Sequence, residues 1–149
     1  MKNGITLFLI ILLFSVLALA SGPEDKARRL VEDGVKYIES AGMHKAASAF
    51  MDPKGAFFDG SYYLFVVQYD GLCIAHGAQP SLVGVDLSKT RDSDGVLIKD
   101  EMVKAALAGG GWAKYRYTNP VTGEVQKKRA WVQPVPGMEA YIGCGIYYE

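Results

Sequence analysis

The chain is poor in the residues that carry out chemistry. It has two histidines and two cysteines among 149 residues, and neither type is grouped at a spacing that metal binding or nucleophilic catalysis requires. Cys73 and His76 lie three apart in a strand-like run, a spacing that points them to opposite faces of a regular strand. There is no nucleophile elbow, no phosphate-cradling glycine loop and no histidine pair, so catalysis, cofactor binding and a metal centre are not expected. Excess charge of one sign is missing as well, since sixteen Lys and Arg stand against sixteen Asp and Glu. Nucleic acids and anionic membrane surfaces are recognised through a positive excess, so neither is an expected partner. Internal repeats and low-complexity tracts are also lacking.

Long apolar runs are absent after the first twenty residues. There, Lys2 precedes an apolar run from Ile5 to Leu19, and the small-residue pattern Ala18, Leu19, Ala20 stands ahead of Ser21. This is a secretory signal peptide, expected to be cleaved after Ala20. Its apolar core is shorter than the ~20 residues usually needed to cross a bilayer, although retention as an anchor is the other option. No cysteine follows to accept a lipid. Residues 21–149 then suit one domain, periplasmic or secreted, with a core of its own. That compartment permits a disulfide. Cys73 and Cys144 sit in separate apolar strands, however, and the favoured reading is two buried thiols.

Helix comes first and sheet later. Pro23 suits the first turn of a helix, Glu24 and Asp25 favour its positive end, and Ala27, Leu30, Val31, Val35 and Ile38 recur at helical spacing. Gly42 breaks the pattern, and a second short helix is expected over Lys45 to Phe50. From Tyr62 to Tyr69 both alternating sets are apolar: Tyr62, Leu64 and Val66 on one face, Tyr63, Phe65, Val67 and Tyr69 on the other. That strand must be covered on both sides. Asp70 and Gly71 supply a tight turn into a return strand, Leu72 to His76. A polar connection then leads to a helix over Val96 to Ala108, closed by Gly109, Gly110 and Gly111. Three more strands follow, Trp112 to Thr118, Lys127 to Pro134 and Glu139 to Tyr148. The expected fold is α+β, with a PAS-like five-stranded antiparallel sheet. N-terminal helices would cover one face, a helical crossover would join the second and third strands, and a pocket would lie on the other face.

Three runs carry a resemblance to a known family. They are YYLFVVQYDGLCIAHGAQPSLVGVDL, RDSDGVLIKDEMVKAALAGG and GGGWAKYRYTNPVTGEVQKKRAWVQPVPGMEAYIGCGIYYE. In order and spacing the chain resembles a single Cache domain over residues 24–148. The resemblance implies an extracytoplasmic small-molecule sensor. Such domains are commonly tethered between two membrane helices and drive a chemoreceptor, kinase or cyclase. This sequence shows no second apolar span, so a separate membrane receptor or kinase is the expected partner.

Candidate site residues follow from parity, and the resemblance sharpens them. Tyr115 and Tyr117 share one face of the third strand, opposite Trp112, Lys114 and Arg116. They fall where Cache domains show an aromatic pair ahead of an Asn-Pro turn, which implies hydroxyl contacts to a ligand. Lys128 has the parity of Ala130 and Val132, toward a covered face, where an unpaired ammonium costs several kcal/mol and a bound carboxylate would be a natural counterion. A register error of one residue would exchange it with Arg129. His76 is assigned to the pocket rim, and Tyr63, Phe65 and Tyr141 to apolar walls. Gly143 and Gly145 remove two side chains from one face of the last strand, either for tight packing of the N-terminal helix or for a ligand. The segment Thr90 to Glu101 resembles a calcium loop, but Thr90 stands where Asp is wanted. Asp92 is expected instead to help cap the crossover helix.

The reading is therefore a non-enzymatic sensor of a small organic carboxylate such as acetate, propionate, pyruvate or lactate. The alternative is an interaction or homodimerisation module whose pocket is filled by side chains. A calcium- or redox-regulated domain is the third.

Overall fold

The computed structural model describes residues 22–149. The signal peptide expected over residues 1–20 lies outside the described residues. Helix α1 (Pro23–Ala41) starts with proline in its first turn and Glu24 and Asp25 beside it, where a missing N–H is harmless and negative charge meets the helix dipole. Gly42, at φ 83°, ends it by donating its N–H to the Ile38 carbonyl, a conformation that costs a side-chain-bearing residue more than glycine. Helix α2 (Met43–Phe50) follows at once.

The sheet is antiparallel throughout. Its strands are β1 (Phe58–Asp59), β2 (Tyr62–Gln68), β3 (Cys73–His76), β4 (Gly111–Thr118), β5 (Val125–Pro134) and β6 (Ala140–Tyr148), and α3 (Ile98–Leu107) crosses between β3 and β4. The order is β1-β2-β6-β5-β4, with β3 also paired to β2. The five expected strands are all present in the PAS-like order. The addition is β1, two residues long and too short to leave a periodic signal.

Each face of the sheet has its own core. On one, the α1 stripe of Ala27, Val31, Val35 and Ile38 packs on Leu64, Val66, Ile142, Cys144 and Ile146. A Cβ at Gly34 of α1 would come within 2.7 Å of Leu64 Cδ1, so this glycine sets how closely helix and sheet approach. On the other face, Tyr63, Phe65, Val67, Tyr115, Ala130, Val132 and Tyr141 pack with Met102 and Ala106 of α3. Both alternating sets of β2 are thus covered, as its composition requires.

Three local expectations are corrected. The β2–β3 turn is closed by the Gly71 N–H on the Gln68 carbonyl, so Tyr69 and Asp70 are its central residues and Gly71, at φ 111°, follows them. Further along, Val67 pairs with Cys73 while the adjacent Val66 pairs with Ala75. The resulting bulge absorbs Ile74 and turns Cys73 and His76 to the same face, against the strand-parity expectation. Finally, α3 begins at Ile98 without a side-chain cap. Asp92 instead accepts the N–H groups of Asp94, Val96 and, across the fold, Arg116 of β4. Burial alone would raise its pKa, but these three donors outweigh it and hold the carboxyl below its ordinary value. Its oxygens are occupied in pinning the loop, and no group of three or more candidate metal ligands occurs among the described residues.

Cys73 and Cys144 are buried free thiols. They lie on β3 and β6 with β2 between them, and they face opposite cores. Burial pushes their pKa values up to about 11 and about 12, which makes them unreactive at neutral pH.

The two glycines of β6 serve neither α1 nor empty space. A Cβ at Gly143 would meet the Phe65 ring at 2.4 Å, and one at Gly145 would meet Lys128 Cε at 1.9 Å. Gly145 is therefore the groove in which the Lys128 stem lies. Gly145→Ala is expected to destabilise the protein by about 1–3 kcal/mol through overpacking. Adding Lys128→Ala should recover part of that loss in a urea-unfolding double-mutant cycle.

Candidate functional site

The second face of the sheet does not close completely against α3. Between them and the loop of residues 77–97 lies a cavity of about 340 Å³, within the size range of small-molecule sites. Phe65, His76, Tyr115, Tyr117 and Tyr141 line it from the sheet, and Ile98, Lys99 and Met102 from α3. The loop closes the remaining side with Leu82, Val85 and Leu87. Backbone bonds from Cys73 N–H to Val85 O and from Leu87 N–H to Gly71 O bind this loop along the outer edge of β3. The cavity wall is thereby held to the sheet.

Five of the seven residues expected at the site line this cavity. His76 is 5% exposed, and its Nδ1 accepts the Gln79 N–H at 3.0 Å. The ring proton must then reside on Nε2. Burial, aided by the nearby Lys128 charge, lowers its pKa to about 3, so the imidazole is neutral and acts as a donor. The Tyr117 hydroxyl donates to Gln79 Oε1 at 2.6 Å. No side-chain hydrogen bond among the described residues uses the Tyr115 or Tyr141 hydroxyl or His76 Nε2. Three unspent donors therefore belong to side chains that line one cavity.

The other two residues, Tyr63 and Lys128, lie behind the lining. Lys128 is 1% exposed, confirming its parity and placing Arg129 on the opposite face, where it pairs with Glu24. Lys128 Nζ donates to the Tyr63 hydroxyl at 2.6 Å. It lies 4.4 Å from the ring centroid of Tyr63, 5.0 Å from those of Tyr117 and Tyr147, and 5.6 Å from those of Phe65 and Tyr115. Desolvation lowers its pKa to about 7. Ring faces attract a desolvated ammonium by about 2 kcal/mol or more, and the cage supplies that attraction in place of a carboxylate. Phe65, Tyr115 and Tyr117 are shared, bordering both the cage and the cavity.

The donors behind the cage are ordered by necessity. Tyr147 spends its proton on the Thr118 carbonyl at 2.8 Å, so in the 3.2 Å contact between hydroxyls Tyr63 must donate to Tyr147. A single chain runs from Lys128 through Tyr63 and Tyr147 to Thr118 at the end of β4.

Lys99, Ile98, Met102, Gln79 and the loop residues Leu82, Val85 and Leu87 were not singled out from the sequence. The helix residues belong to an ordinary amphipathic pattern, and the loop has no periodicity to read. Lys99 sits at the mouth, paired with Asp100 at 2.8 Å.

The sequence profile described as Single Cache domain 2 matches residues 26–149. The chain belongs to this family. The sensor histidine kinase MctS of Rhizobium johnstonii is 32% identical over 87 residues, covering 58% of this chain and 19% of the relative. The methyl-accepting chemotaxis protein McpP of Pseudomonas putida is 31% identical over 93 residues, covering 62% and 17%. The Cache domain thus spans about a fifth of the length of these curated relatives. A Cache chemosensory domain solved as a structural basis for carboxylic acid recognition superposes with a TM-score of 0.70 at 25% identity, over 85% of this chain and 93% of that one. No helix among the described residues of this Cache domain is long and apolar enough to cross a membrane.

The electrostatics of the cage set the pH dependence of stability. Between about pH 7 and the ordinary lysine range the unfolded chain holds a proton that native Lys128 lacks, so stability rises with pH. Above about pH 9 the trend reverses, because the buried tyrosines and cysteines ionise first in the unfolded chain. Urea unfolding should show a rise from pH 7 to 9 of at most about 1.4 kcal/mol per unit. Lys128→Met should abolish that rise, while an unchanged slope in the variant would refute the assignment.

Proposed function

We propose that this domain is an extracytoplasmic sensor module that binds a small organic carboxylate and passes the signal through a membrane receptor or kinase. The observation that carries the reading is Lys128, a buried lysine with an aromatic cage and no carboxylate partner among the described residues, set behind a cavity lined by His76, Tyr115 and Tyr141. A ligand anion in the cavity would accept from His76 Nε2, Tyr115 and Tyr141, and would supply the missing counterion across one layer of rings. Coulomb attraction is strong there because the layer excludes water. The sheet side of the cavity offers His76, Tyr115 and Tyr141 as donors with Lys128 behind them, and the carboxylate in the lining, Asp86, stands on the loop, so the sheet side favours an acid over an amine.

The carboxylic acid recognition named for the related chemosensory domain supports the same class. The expected signal peptide supports a periplasmic or secreted location, and the kinase and chemoreceptor relatives support a membrane partner. The open cavity beside Tyr115 and Tyr117 weighs against the alternative of a filled interaction module.

The test is the melting temperature of the purified protein against carboxylates, amino acids, amines and calcium. A ligand at a hundredfold excess over its Kd should add about 2.7 kcal/mol of stability. Carboxylates are expected to raise the midpoint, and Tyr115→Phe to weaken them by about 1 kcal/mol or more through loss of a donor. Stabilisation by amines or calcium with none by acids would contradict the proposal.

Affinity should also depend on pH. An anion favours protonated Lys128, so the association constant is expected to fall above pH 7, by up to about tenfold per unit. Calorimetry at pH 6.5 and 8.5 would measure it.

A further inference from the structure

The carboxylate reading leaves the size of the ligand open, and the cavity speaks to it. A volume of about 340 Å³ corresponds to about eleven water-sized units at ~30 Å³ each. A two- or three-carbon acid, with four to six non-hydrogen atoms, would leave about half of it unfilled. The aliphatic part of the lining is concentrated on α3 and the loop. His76, Tyr115 and Tyr141 offer their donors from the sheet, whereas α3 and the loop present the aliphatic Leu82, Val85, Leu87, Ile98 and Met102, with Gln79, Asp86, Thr90 and Lys99 between them. Val85 is 42% exposed, so this apolar wall continues toward the mouth.

The mouth discriminates between kinds of acid. Lys99 is the cation there, and it is already matched by Asp100. Asp86 lines the same opening, and hydrogen bonds from Ser88 hold its carboxyl below the ordinary value, so it is anionic. A second carboxylate on the ligand would meet that charge. An apolar tail would meet the aliphatic wall.

Resting on the reading that the site takes a carboxylate, we infer that its preferred ligand is an amphipathic monocarboxylate of about five to eight carbons. The acid head lies against His76, Tyr115 and Tyr141, and the hydrocarbon body lies along α3 and the loop. A second carboxylate at the mouth is disfavoured by Asp86.

A homologous series tests this by calorimetry: acetate, propionate, butyrate, pentanoate, hexanoate and octanoate, with succinate and adipate as diacids. Affinity is expected to rise about two- to fourfold for each added methylene up to the length that fills the cavity, and the diacids to bind at least tenfold more weakly than hexanoate. Two variants on separate elements, Leu82→Trp and Ile98→Trp, should reduce hexanoate binding about tenfold while leaving propionate within about twofold. Acids that bind with acetate or propionate tightest, or with succinate equal to hexanoate, would overturn the inference and leave the carboxylate reading standing. An equal loss of both acids in both variants would overturn the placement of the tail. If no acid of any length binds, the carboxylate reading fails and the inference with it.

Discussion

A single ammonium group, placed where water cannot reach it, constrains much of this domain. Lys128 enters the sheet from β5 and crosses β6 in the groove left by Gly145. It ends among five aromatic rings, bonded to one phenol. An unpaired charge at such a depth costs several kcal/mol. Ring faces and the Tyr63 hydroxyl offset part of that cost, and the lowered pKa measures the remainder. The protein thus maintains a positive centre with an unfilled demand for an anion. The cavity lies on the far side of three of the same rings.

That arrangement ties fold to function through ordinary packing. The aromatic residues of β2, β4 and β6 form the core of one sheet face, and their ring faces enclose the cation. Their hydroxyls divide into two groups. Tyr63 and Tyr147 are consumed in an ordered chain that ends on Thr118, whereas Tyr115 and Tyr141 remain free at the cavity. His76 joins the free group because a β-bulge turns it inward and a backbone N–H fixes its tautomer.

The sheet was legible in the sequence because successive residues of a regular strand point to opposite faces. The two-faced pattern of Tyr62 to Tyr69 demanded cover on both sides, and parity within each strand put Tyr115 with Tyr117 and turned Lys128 toward a covered face; only the pairing of Tyr115 with Lys128 joined the two sets. Parity failed at His76, where one extra residue in the bulge reversed the expected relation to Cys73. It was also silent on depth: Lys128 was rightly turned inward, but nothing in the residues showed that rings would stand between it and the cavity. The glycines at 143 and 145 announced that something occupied their face. Only the packing identified Phe65 and the lysine stem. The loop of residues 77–97 looked like a polar connection because its apolar residues follow no period, yet Leu82, Val85 and Leu87 build one wall of the site.

The proposed function rests on Lys128 as a buried cation whose missing partner is a ligand carboxylate. Its side-chain amine can be followed directly by NMR titration of ¹⁵N-labelled protein, with and without saturating carboxylate. A midpoint near pH 7 is expected in the free protein, with a shift of at least one unit upward when the acid is bound. A midpoint at the ordinary lysine value, unmoved by any carboxylate, would contradict it.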